Sequence, residues 1–128
     1  MAAMLVELIV VWGWHLPAPR LLADGGGAWF VVEQASFLAA GLWLWSAVLG
    51  TGRERRAAGV GALLLTSMHM TLLGALIGLA PRPLYLHDHG LEDQQLGGVV
   101  MLMIGAGSYL LGGLAMLGSL LRTKGAPA

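Results

Sequence analysis

The residues that could do chemistry are few and sit in apolar surroundings. His69 lies in the run Thr66-Ser67-Met68-His69-Met70-Thr71, between Arg56 and Arg82, where no Asp, Glu, Lys or Arg occurs. Glu33 and Gln34 open a second charge-free run that lasts to Arg53, and Asp93, Gln94 and Gln95 open a third that lasts to Arg122 and contains Met101 and Met103. His15 follows Trp12 and Trp14 just ahead of Pro17. Imidazole, carboxylate and thioether together suit a copper ion, with the thioether favouring the cuprous state. The same residues also suit a polar network that fixes helix register without any metal, because a buried glutamate or histidine must find a partner. Both readings stand on residues alone. Haem ligation by His15 and His69 is a third, and it needs the two imidazoles at similar depth. A weaker candidate is His87-Asp88-His89, where an extended H-x-H pair puts both rings on one face and exposed loop histidines are the plainer reading.

The elements that hold these residues follow from the composition. The chain has 128 residues, 57% hydrophobic and 11% charged, with a mean hydropathy of +0.75. Soluble domains carry about 25% charged residues, so a water-soluble globule and a disordered chain are both excluded. Net charge is zero, which offers no field for nucleic acid. No cysteine is present, which removes disulfides, thiolate metal sites and cysteine nucleophiles. No nucleophile elbow, phosphate loop, zinc-protease motif or dinucleotide fingerprint occurs, so no enzyme activity is expected.

A spanning helix needs about 20 apolar residues. The charge-free runs predict an all-α, integral membrane four-helix bundle in one domain covering 1–128, with helices at about 1–17, 28–50, 57–80 and 94–121. Pro17 and Pro19 mark the end of the first. Arg53, Arg55 and Arg56, together with Arg122 and Lys124, concentrate positive charge on one face, and the opposite loops hold only Arg20 and Arg82. The positive-inside rule then puts the N- and C-termini in the cytoplasm and the loops 18–27 and 81–93 outside. Most of the polar groups fall in the outer half of the bilayer. Glu7 falls in the cytoplasmic half, where it reads as a snorkelling surface residue or a contact to a partner subunit. Gly74 and Gly78 are spaced for close helix approach.

Three blocks carry a family resemblance. Trp12-Gly13-Trp14-His15-Leu16-Pro17 resembles the W-x-W-H-x-P motif of the CtaG family of cytochrome c oxidase assembly factors. Glu33 to Phe37, with Gly41 and Trp43, is similar to that family's next helix. Leu73-Gly74-Ala75-Leu76, Pro83-Leu84-Tyr85, Leu91 to Gly98 (LEDQQLGG) and Met101 are similar to its third block, the most specific of the three. Members of that family have about seven spans by hydropathy, so the chain reads as a short, N-terminally truncated variant.

The resemblance implies a multi-pass protein of the bacterial inner membrane that matures a haem–copper oxidase. It would act as a chaperone to the oxidase core subunit, delivering copper or assisting its insertion on the periplasmic side. His15, Glu33 and His69 are then the expected copper ligands, with Met68, Met70 and Met101 as soft auxiliaries. Asp93, Gln94 and Gln34 are expected to orient them by hydrogen bonds. The competing expectation is a small accessory subunit of a respiratory oxidase with no metal of its own. Homo-oligomerisation is left open.

Overall fold

The structure is a computed structural model that describes residues 1–50, 52–85 and 90–124, with the side chains of Arg53, Thr123 and Lys124 left aside. It is an all-α membrane helical bundle. Helix α1 spans Ala2–Trp14, α2 Pro17–Asp24, α3 Gly27–Leu49 and α4 Arg56–Gly78, the last entered through a 3-10 turn at Arg53–Arg55. Helix α5 covers Leu91–Val100 and runs through a π-helical segment, Met101–Ala106, into α6, Gly107–Lys124.

The first predicted span differs from expectation. Helix α1 has 13 residues, about 20 Å of rise, against about 30 Å of hydrocarbon. It stops because Pro17 has no N–H to continue the ladder and forces Leu16 into an extended conformation, at ψ 147°. The segment expected as the loop 18–27 folds instead as α2, with Pro17 in its first turn, bent 72° from α1. Gly26 and Gly27, at φ +74° and +65°, make the reversal into α3 in a region that other residues rarely adopt. Three helices are long and apolar enough to cross a membrane, namely α3, α4 and the continuous α5–α6, and a fourth span exists if α1 and α2 count as one broken crossing.

Helix α4 is the centre of the bundle. Half of its most apolar window is buried, against 22% for α3 and 17% for α5–α6, whose leucines and valines face outward. Helices α1 and α3 pack together on one side of α4, and α5–α6 packs on the other. The α4–α5 contact is backbone against backbone: a Cβ on Gly98 would fall on the main chain of Gly78 and Gly74. That is the close approach expected of the Gly74–Gly78 spacing.

Two apolar clusters fix the levels. Ala3 and Met4 of α1 pack with Leu44, Val48, Ala62, Leu63 and Tyr109. The N-terminus therefore lies at the same end as the α3–α4 connection. Higher up, Val11 packs with Leu73 and Ile77, with Met70 and Met101 against them. Trp14 Nε1 donates to Ser36 Oγ (2.8 Å), the tenth residue of α3, so α1 ends about 14 Å short of the first residue of α3. Tyr109 of α6 reaches α1 with its side chain, but among the described residues no Cα of α1 comes within 8 Å of α5 or of the segments after it. The space between them is a cavity.

Candidate functional site

The cavity measures about 540 Å³ and is bounded by α1, α4 and α5–α6. Glu7, Val11 and His15 line it from α1, Met70 and Ile77 from α4, and Asp93, Met101 and Tyr109 from the far side. The α1 residues are spaced by four and therefore share one helical face. Most of the lining is apolar, with polar groups gathered at two ends.

At the outer end, His15 is held by the way α1 stops. Its own backbone N–H turns to Trp12 O, and its ring Nδ1 takes Val11 O at 2.7 Å. A carbonyl only accepts, so the ring proton sits on Nδ1 and Nε2 of the neutral imidazole keeps its lone pair. This is the arrangement by which second partners fix metal-binding histidines. The carbonyl of His15 accepts from Tyr85 OH at 3.0 Å, which ties the α4–α5 connection to the end of α1. Burial pushes the Tyr85 phenol above its ordinary pKa, so it stays a donor. Phe37 packs beside the imidazole, with ring centres 6.1 Å apart.

Glu33 meets neither histidine. Its Oε1 receives Arg20 Nη1 at 3.1 Å and its Oε2 receives Gln34 Nε2 at 3.2 Å, while Arg20 Nη2 bonds Asp24 at 2.6 Å. The bend at Pro17 swings Arg20 back over α3, and the guanidinium takes the oxygen expected for a metal. Gln34 accordingly orients Glu33, not an imidazole. Gln94 is structural: its Oε1 accepts from Leu84 N–H (2.6 Å) and its Nε2 donates to Ile77 O (3.3 Å), which clamps the α4–α5 connection. Asp93 reaches the cavity mouth. Met68 points away, 66% exposed on the outer face of α4. His87 and His89 lie outside the described residues.

At the inner end, His69 faces Glu7. Nε2 and Oε2 stand 2.9 Å apart, with the His69 side chain 11% and the Glu7 side chain 3% exposed. The two atoms lack hydrogen-bond alignment. Both nitrogens of His69, Glu7 Oε2 and the hydroxyl of the fully buried Thr66 are without a hydrogen bond among the described residues. Glu7, read from the sequence as a snorkelling or partner-facing residue, is instead one of the most enclosed side chains in the chain. The signal for it was present in the 7-11-15 spacing with His15. Arg20 carried a similar signal in its spacing of four to Asp24. No group of three His, Asp or Glu able to hold a metal occurs among the described residues. A site here must draw on thioether sulfur or on fewer charged donors.

The sequence profile of the cytochrome c oxidase caa3 assembly factors (Caa3_CtaG) matches residues 1–123, almost the whole chain. The chain belongs to that family. No curated protein and no solved structure gives a match. The motifs that carry the resemblance surround the cavity of this assembly factor: the Trp12–Pro17 block ends α1 at His15, and the Leu91–Met101 block supplies Asp93, Gln94 and Met101.

Proposed function

We propose that this chain assists assembly of a haem–copper cytochrome c oxidase by receiving cuprous copper in the cavity and passing it to the oxidase core subunit on the periplasmic side of the bacterial inner membrane. The observation that carries the reading is that one cavity collects His15, whose Nε2 has no hydrogen bond among the described residues, and two thioethers, Met70 and Met101. Imidazole and thioether are soft donors that favour Cu(I). Asp24 and Asp93 at the mouth, with Glu7 within, give the lining more acidic than basic groups, Arg20 being the single cation among its described residues. Such a lining attracts a cation. In this orientation the N-terminus and the Arg53–Arg56 turn are cytoplasmic, as their shared end of the bundle and their positive charge favour.

The test is Cu(I) binding to the purified chain in detergent, read by competition with a chromophoric cuprous chelator. His15→Ala and Met101→Leu should each weaken binding by roughly tenfold or more, since even loss of a residue behind a ligand costs that much. Unchanged affinity in both variants defeats the copper reading. Fixed-stoichiometry co-purification of a metal-free chain with the oxidase would support the accessory-subunit role in its place.

A further inference from the structure

We propose that Glu7, His69 and Met70 form a second, inner cuprous site where Glu7 and Met70 line the cavity and His69 stands behind Glu7, distinct from the outer donors His15 and Met101. This deepens the copper reading and rests on it for the identity of the ion.

The argument starts from what the pair lacks. A carboxylate this enclosed costs several kcal/mol unless it is neutralised or hydrogen-bonded. The imidazole beside it is near enough at 2.9 Å but misaligned, and its other nitrogen has no partner among the described residues. A register-fixing network would close these bonds, because an unmade buried bond costs more than a made one contributes. Unsatisfied polar atoms in a native interior call for an ion or a water.

The donor chemistry favours the ion. First-row metal bonds to nitrogen and oxygen are about 2.1 Å long, so one ion reaches both Oε2 and Nε2 once the side chains part from 2.9 Å to about 3.5 Å. Met70 follows His69 in α4, lines the same cavity as Glu7, and packs against both apolar clusters. It adds sulfur to an otherwise carboxylate–imidazole pair. Glu7 lies two helical turns below His15 on the same face, about 12 Å along α1, too far for one ion to bridge both ends. Met101 packs at the level of Val11, between the two ends. An ion bound at the base would therefore leave outward past the Met101 sulfur towards the His15 nitrogen.

The experiment is a Cu(I) titration of the full chain in detergent, with stoichiometry and affinity read by chelator competition for wild type, Glu7→Gln, His15→Ala and the double variant. Glu7→Gln is nearly isosteric and keeps an oxygen acceptor. Wild type should hold a second equivalent that Glu7→Gln loses, while His15→Ala loses only the first. If Glu7→Gln removes an equivalent and His15→Ala changes nothing, the inner site stands and the outer reading falls. If Glu7→Gln leaves stoichiometry and affinity as in wild type, the inner site is refuted and the pair holds water. Should Glu7→Gln not fold, Met70→Leu preserves volume and apolarity and reads the same site: an inner affinity weakened roughly tenfold or more supports the proposal, and an unchanged one overturns it.

Discussion

Replacing Arg20 with methionine isolates the contact that holds α2 over α3. The guanidinium lies 3.1 Å from Glu33 and 2.6 Å from Asp24, with the carboxylate side chains 2% and 12% exposed and Arg20 itself 32% exposed. Opposite charges near 4 Å attract by about 4 kcal/mol at an effective dielectric of 20. Removing one partner of a buried pair costs about 3–5 kcal/mol because a charge is left without compensation. Water reaches one side of Arg20, so Arg20→Met is expected at the low end, about 3 kcal/mol. Glu33→Met should cost less, about 1–2 kcal/mol, since Arg20 keeps Asp24 and the new side chain is apolar. The double variant should cost about as much as Arg20→Met alone, which gives a coupling of about 1–2 kcal/mol. Reversible unfolding in mixed micelles, followed by the fluorescence of the five tryptophans, measures all four states. A coupling below about 0.5 kcal/mol would show an ion pair that behaves like an exposed one. The argument that Glu33 is committed to Arg20, and so withheld from a metal, would then fail.

Four further outcomes are expected. Gly98→Ala should cost about 1–3 kcal/mol or part α5 from α4, because its Cβ meets backbone that cannot rotate away. Gly97→Ala, whose Cβ meets nothing, should be neutral or stabilise by about 0.5–1 kcal/mol in the same unfolding assay. Tyr85→Phe should cost about 1 kcal/mol and speed amide exchange at the end of α1. The raised phenol makes stability level below the ordinary tyrosine pKa of 10.0 and falling as pH climbs through the higher folded value, and Tyr85→Phe should abolish that alkaline loss. With no native cysteine to interfere, an impermeant maleimide applied to intact cells should label Arg82→Cys and spare Gly52→Cys. The reverse pattern would place the cavity mouth in the cytoplasm and remove the basis for periplasmic copper transfer.

Much of the molecule follows from the order of residues alone. Charge-free runs of about a bilayer crossing or longer dictate helices at α3, α4 and α5–α6, because hydrocarbon leaves the backbone no other partner than itself. The Gly74–Gly78 spacing marks the tight crossing, and Trp12–Pro17 and LEDQQLGG mark the family. The pairing of the polar groups was not legible, because it depends on relative heights that no local pattern encodes. Glu33 looked like the natural partner of a buried histidine. Pro17 ends α1 early, however, and the returning α2 brings Arg20 to Glu33 first, since a full positive charge compensates a buried carboxylate better than a neutral ring. His69 is left to the carboxylate at its own depth, Glu7. The helix faces were written in the spacing of 7, 11 and 15, but only the packing of α1 against α4, and its separation from α5, decided that this face encloses a cavity instead of meeting lipid.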